Sequence, residues 1–321
     1  MKYSKNIIET IGQTPLVQLN NIVKDLKAKI FVKLEYLNPG GSMKDRIAII
    51  MIEDAEKKGL LKKGGTIVEP TSGNTGVGLA IVAAIKGYKV IFTMSDKMSK
   101  EKEDVLKAYG ATVVRCPADV EADNPIHYIN VAKRIAHETK AYFPNQYHNS
   151  ANPLAHYKTT GPEIWKDTEG KITHLIVPVG TGGTISGTAK YLKEKNKNIR
   201  VIGADPKGSL LHHYFYKTQG KAHSYLVEGP GEDFMPLALD MSVIDDIFVV
   251  TDKDSFITAR ELVSKEGIFA GGSSGMAVYV ALNIAKSLSS TAIVVVILPD
   301  SGRSYVSKFY NDDWMKAQNL F

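Results

Sequence analysis

Residues 38–46 read NPGGSMKDR and place a lysine, Lys44, where local physics disfavours one. Ser42 and Asp45 have the spacing of a capping box, and the apolar-rich run after Arg46 has helical character. Lys44 then falls in the first turn of a helix, where the macrodipole opposes a cation. Two glycines ahead of it keep the approach bare of side chains. A positive helix end and partial burial both disfavour the ammonium form. A neutral lysine amine attacks aldehydes and afterwards carries protons.

Three glycine loops precede helical runs and offer partners for such chemistry. PVGTGGT, residues 178–184, exposes backbone N–H groups at Gly180, Gly182 and Gly183, with hydroxyls at Thr181 and Thr184. That composition suits one phosphate at a helix N-terminus, and equally a tight strand–helix turn that only needs glycine. PTSGNTG, residues 70–76, adds Thr71, Ser72, Asn74 and Thr75, donors suited to a carboxylate or to plain N-capping. GGSSG, residues 271–275, reads as an N-cap with close helix packing when taken alone. Together, a phosphate nest, a carboxylate nest and an activated amine suggest a phosphate-bearing aldehyde cofactor condensed onto Lys44. Neither a P-loop ending nor a G-x-G-x-x-G fingerprint is present, which argues against a dinucleotide oxidoreductase.

The elements that must position these groups alternate. KIFVKLEY precedes a helical run from Met43, TIVEP precedes GVGLAIVAAIKG, and KVIFTM precedes SKEKEDVLKAYG. The pattern resumes with THLIVPVG, RVIGADP, DIFVVT and AIVVVILPD, each beside an amphipathic or apolar helix. Alternation of this kind predicts βαβ units and mostly parallel sheets. The Pro-, Asn- and aromatic-rich stretch AYFPNQYHNSANPLAHYKTTGPE marks a domain junction near residue 150.

Composition narrows the setting. The 321 residues carry a net charge of +6, with lysines interleaved among acids rather than gathered into a basic stripe, so nucleic-acid binding is not expected. No apolar run reaches membrane-spanning length, and MKYSKNIIETIG lacks the apolar core of a signal peptide. A single cysteine, Cys116, excludes an internal disulfide or a thiolate-rich metal site and reads as a small buried hydrophobe. The expectation is a cytoplasmic protein without a metal. His212 and His213 lack ligand spacing.

In chain order, NPGGSMKDR, EPTSGNTG, PVGTGGTISG and GGSSG resemble the pyridoxal-phosphate enzymes of the cysteine synthase and cystathionine β-synthase group. The resemblance runs from ETIGQTPLVQL to VVILPDSGRSYVSKF. It implies fold type II, similar to the tryptophan synthase β chain: two doubly wound, mostly parallel α/β domains with pyridoxal 5'-phosphate in the cleft between them, commonly as a homodimer. Residues 1–150 would carry the lysine and the carboxylate loop, and residues 151–321 the phosphate loop, with the first strands able to pack on the other domain.

By the same resemblance, Lys44 bonds the cofactor's aldehyde and returns protons at Cα, and Asn74 bonds the ring's 3'-oxygen. Gly180, Thr181, Gly182, Gly183 and Thr184 cradle the phosphate, and Ser273 faces the pyridine nitrogen. Thr71, Ser72, Thr75 and Gln146 hold the amino-acid carboxylate, with Gly229 beside the substrate. A neutral hydroxyl at the ring nitrogen leaves a weaker electron sink, which fits β-replacement on L-serine or L-cysteine through an aminoacrylate.

NQYHNSANPLAHY, EGPGEDFMP and LPDSGRSYVSKFYNDDWM resemble the catalytic core of cystathionine β-synthase. Neither a haem-binding extension nor regulatory repeats are expected on this chain. Glu232 departs from the tyrosine common in that family. A carboxylate there could be a general base toward water or a thiol, could repel homocysteine, or could simply face solvent. Three second substrates therefore stay open: homocysteine giving cystathionine, sulfide giving cysteine as in O-acetylserine sulfhydrylase, and water giving serine and hydrogen sulfide from cysteine. A homologue that has lost catalysis and serves as a scaffold is the alternative of a different class.

Overall fold

The structure is a computed structural model and describes residues 1, 3–71, 73–96, 98, 100–118, 120–121 and 123–321. Its strands are β1 (Leu16–Gln18), β2 (Lys29–Leu34), β3 (Thr66–Pro70), β4 (Lys89–Ser95), β5 (Thr112–Cys116), β6 (His174–Pro178), β7 (Arg200–Pro206), β8 (Asp246–Val250) and β9 (Ile293–Leu298). Its helices are α1 (Lys44–Lys57), α2 (Asn74–Lys86), α3 (Lys100–Ala108), α4 (Tyr128–Thr139), α5 (Ala151–Lys158), α6 (Thr160–Asp167), α7 (Gly183–Lys195), α8 (Leu211–Tyr216), α9 (Asp252–Glu266), α10 (Gly272–Ala285) and α11 (Asp312–Ala317). The alternation expected from the sequence is the one observed.

The chain divides into two compact units, one of residues 1–11 and 38–152, the other of residues 12–37 and 153–321. In the first unit β3, β4 and β5 form a parallel sheet in that order. A parallel bridge sets Tyr142 beside Ile67 on the far side of β3. The Val68 N–H donates to the Tyr142 carbonyl and the Tyr142 N–H to the Thr66 carbonyl, both at 2.9 Å. The chain thus runs outward from β3 to β5 and then returns to the other flank of β3. That reversal is a topological switch point, and ligands of open α/β sheets bind outside the carboxyl ends of the strands there.

The second unit holds six strands ordered β1-β2-β9-β6-β7-β8, all parallel except for β1 against β2. The run Ile293–Leu298, IVVVIL, is β-branched and buried beyond its first residue, as a central parallel strand should be. Its register sets Ile30 opposite Val294 and Val32 opposite Val296. α10 is apolar nearly all round and is buried accordingly, packed on α9 and on β9, β6 and β7. β6 leads to β7 and β8 on one side, while β9 enters on the other, so β6 and β9 bracket this unit's switch point.

Several of the segments expected to do chemistry follow strand ends at these switch points. Residues 71 and 73–75 follow the end of β3, Gln146 follows Tyr142, and residues 179–184 leave the end of β6.

Candidate active site

Lys44 is the first residue of α1. The capping box expected from Ser42 and Asp45 forms differently. Ser42 Oγ accepts from the Lys44 N–H at 3.1 Å, whereas the Asp45 carboxylate reaches past Ser42 to the Gly40 N–H at 2.5 Å. A Cβ on Gly40 would lie 2.3 Å from Asp45 Oδ1, so only glycine lets this carboxylate fold over the entry loop. Asp45 is buried. The result is a fixed approach to Lys44, with an acid spent on the loop backbone.

Asn74 opens α2, and Thr71 and Thr75 are both buried. Thr75 Oγ1 donates to Gln146 Oε1 at 2.7 Å, which brings two of the expected carboxylate contacts together. With its oxygen turned to Thr75, the Gln146 amide presents its N–H donors at the opposite end. Ser72 lies outside the described residues. α1 packs on α2, so within this unit the amine and the hydroxyl-rich loop stand on adjoining helices.

In the other unit, α7 begins at Gly183 with Gly182 at φ 81° as its N-cap. No acidic residue stands in its first turn, and Thr181 and Thr184 are buried beside it. Gly180 is held close to Gly229, since a Cβ there would come within 2.4 Å of the Gly229 carbonyl oxygen. The Gly231 N–H donates to the Val179 carbonyl at 2.7 Å, so the loop carrying Gly229 and Glu232 is stitched to the strand end that carries the phosphate-type nest. Glu232 is fixed through its backbone: Ser209 Oγ accepts its N–H at 3.0 Å and donates to its carbonyl at 3.1 Å.

Ser273 is buried in the first turn of α10. That turn is tied to the end of β9, because the Gly271 N–H donates to the Asp300 carbonyl at 3.0 Å and Ala270 bridges Ser301. Since β9 pairs with β6, the Ser273 turn and the Gly180–Thr184 nest belong to neighbouring strand ends.

Taken unit by unit, these groups suit pyridoxal phosphate. Its phosphate needs a helix N-terminus free of carboxylates, which α7 supplies, and its aldehyde needs an amine, which Lys44 supplies.

Reasoning from sequence missed two supporting groups, Glu69 and His156, and placed a third pair, Tyr305 and Asp300, on the loop after the last strand without a role. Glu69 lies on β3 with its carboxylate buried; burial pushes its pKa up to about 7 although two backbone amides donate to it. A lone acid in the apolar run TIVEP was the available signal. His156 is buried between two hydroxyls, with Nδ1 2.9 Å from Thr160 Oγ1 and Nε2 3.1 Å from Thr184 Oγ1. The Tyr305 hydroxyl donates to Asp300 Oδ2 at 2.7 Å, and burial holds that phenol well above its ordinary pKa. Cys116 is buried, and its thiol pKa is raised by burial. His212 and His213 sit on α8, ring edge to ring face. Among the described residues, no cluster of three or more potential metal ligands occurs, and no helix is long and apolar enough to cross a membrane.

Comparison with known proteins shows the family and the fold. The model of the family described as "Pyridoxal-phosphate dependent enzyme" matches residues 7–300. Cystathionine beta-synthase of Apis mellifera is 49% identical over 99% of the chain, which spans 64% of that protein's length. The chain likewise spans 56% of the rat enzyme. Cysteine synthase of Staphylococcus aureus is 45% identical, covering 94% of this chain and 95% of its own. Among solved structures, a hydrogen sulfide-producing enzyme from Fusobacterium nucleatum superposes with a TM-score of 0.87 at 41% identity, covering 94% of this chain and 98% of that one. O-ureido-L-serine synthase gives a TM-score of 0.90 at 35% identity, covering 98% and 100%. With a fold type II α/β architecture, mostly parallel sheets and a match across nearly its whole length, the chain belongs to the pyridoxal-phosphate dependent enzyme family.

Proposed function

We propose that the protein catalyses β-replacement on L-serine or L-cysteine, with homocysteine as the second substrate in the manner of cystathionine β-synthase. The observation that carries this reading is the placement of Lys44 on the helix packed against the one that presents Thr75 and its partner Gln146. An amine and a carboxylate seat on adjoining helices suit removal of the proton next to an amino acid's carboxylate. When bound, the cofactor supplies the electron sink that makes this Cα proton removable.

The chain's own residues do the rest. Thr71, Thr75 and Gln146 orient the substrate carboxylate. Lys44 takes the proton from Cα and returns it there after the β-substituent has been exchanged. Gly180 to Thr184 would hold the cofactor's phosphate, Asn74 its ring oxygen and Ser273 its ring nitrogen, so that binding energy from remote groups would serve the reacting bond. We place the enzyme in the cytoplasm as a homodimer, which gel filtration with light scattering checks.

A second reading rests on Glu232, whose backbone Ser209 clamps from both sides. A carboxylate held there would activate water, so that cysteine yields serine and hydrogen sulfide. The structural likeness to a hydrogen sulfide-producing enzyme supports it. Mass spectrometry of products from serine and from cysteine, each with and without homocysteine, separates the two. Cystathionine from serine and homocysteine is the expected product; serine from cysteine alone, lost in Glu232→Gln, would favour the second reading. Absence of any product, with no visible absorbance after cofactor addition, would sink both and leave a non-catalytic scaffold.

A further inference from the structure

We propose that Glu69 is a positioning residue for the substrate carboxylate, holding the backbone at Asn145 and Gln146 so that the Gln146 side chain meets Thr75. The inference rests on the reading of Thr75 and Gln146 as the carboxylate seat.

The geometry is a short relay within one unit. The Asn145 N–H donates to Glu69 Oε2 at 2.8 Å and the Gln146 N–H to Glu69 Oε1 at 3.2 Å. Asn145 is in the left-handed region at φ 51°, and two successive N–H groups turned to one side in this way form an anion nest. The acceptor in this nest is the protein's own Glu69 carboxyl group. Beyond it, Gln146 Oε1 accepts from Thr75 Oγ1, and the Gln146 carbonyl accepts from Asn152 Nδ2 at 2.9 Å. Asn149 Nδ2 holds the Pro144 carbonyl at 2.8 Å. Residues 142–152 are thereby laced into one conformation, and Glu69 adds a second attachment to β3 beyond the backbone pairing at Tyr142.

Two features mark this as more than a buried ion. Glu69 lies one residue before Pro70, directly ahead of the Thr71–Thr75 loop, so it serves the strand end from which the seat is built. Its partners are backbone amides rather than a cation, and burial of an anion so partnered is unfavourable for stability. An apolar residue would pack on β3 at less cost, but it would leave the Asn145 and Gln146 amides without acceptors.

The test uses the cofactor-loaded enzyme and Glu69→Gln, a change of near-equal size that retains one acceptor and faces the other amide with a donor. Amide hydrogen exchange at Asn145 and Gln146 should quicken roughly tenfold, and the Kd for L-serine should rise by about the same factor. The cofactor's visible absorbance should stay, and kcat should change much less than KM. Glu69→Gln combined with Thr75→Val should be less than additive, since both act on one relay. Adding Asn145→Gly, which takes positive φ without support, should recover part of the affinity. Unchanged exchange and unchanged L-serine affinity in Glu69→Gln would overturn the proposal, as would strict additivity with Thr75→Val. Failure of the parent reading shows separately, as wild-type protein that binds neither cofactor nor L-serine.

Discussion

A Cβ placed on Gly78 of α2 would lie 2.9 Å from the Lys44 carbonyl oxygen and 3.1 Å from the Asp45 Cα. The two helices approach backbone to backbone at the turn that carries the amine. Glycine at this position sets how far Lys44 stands from the loop beginning α2.

Gly78→Ala should therefore reposition Lys44. Alanine gains about 1 kcal/mol of helix propensity, but overpacking against backbone costs about 1–3 kcal/mol and wins because no flexible side-chain end can yield. The expected outcome is a lower midpoint in urea and a visible absorbance that forms slowly on cofactor addition. An unaltered midpoint with normal cofactor uptake would show that α1 yields freely.

Lys44→Ala should abolish turnover and the lysine-dependent absorbance while the fold survives. The side chain begins a helix where a cation is disfavoured, so its loss should leave stability unchanged or raise it by up to about 1 kcal/mol. Circular dichroism melts alongside product assays check both halves. Borohydride reduction and peptide mapping should label residue 44 in the parent protein.

His156 joins Thr160 to Thr184 through its two ring nitrogens. If the Thr184 hydroxyl donates to a phosphate, Nε2 must donate to Thr184 and Nδ1 must accept from Thr160, which sets the tautomer. His156→Ala removes a partner from both buried hydroxyls and should cost about 2–4 kcal/mol. It should also weaken cofactor binding more than L-serine binding by the loaded enzyme. Cofactor titration followed by absorbance, with urea unfolding, measures the two effects.

Stability should carry a signature of Glu69 in its pH dependence. Its folded pKa of about 7 exceeds the ordinary 4.5, so the folded chain holds this proton more tightly than the unfolded one. The stabilisation is complete below the ordinary value and is lost as the pH rises through about 7. It amounts to on the order of 3 kcal/mol across that window. Asp205, raised by burial to about 6, adds a contribution of the same sign. Urea unfolding between pH 5 and 8 should show this fall, and Glu69→Gln should flatten it; a slope that persists unchanged would assign it to other groups.

Much of this was legible in residue order alone. Strands such as IVVVIL and helices such as GVGLAIVAAIK announce themselves by β-branching and apolar periodicity, which depend on neighbours along the chain. The glycine loops were legible as loops, and only their occurrence together with Lys44 pointed past tight turns and N-caps to anion binding. Glu69, His156 and the reach of Asp45 to Gly40 were not legible. Their roles depend on how the chain folds back on itself: Glu69 meets its amides because residue 142 pairs with β3, His156 meets Thr184 on α7, and Asp45 turns back over the entry loop. A lone buried acid in TIVEP gives no sign of which amides it will meet.

The sequence by itself determined the alternation of strands and helices, the amine at a helix start and the loops with the donors an anion needs, since these follow from local propensity and residue chemistry. Only the tertiary structure decided which loops share a strand end. Strand order, and with it the reversals at β3 and between β6 and β9, is settled by long-range pairing and burial. Those energies belong to the folded sheet as a whole and to no segment of the chain.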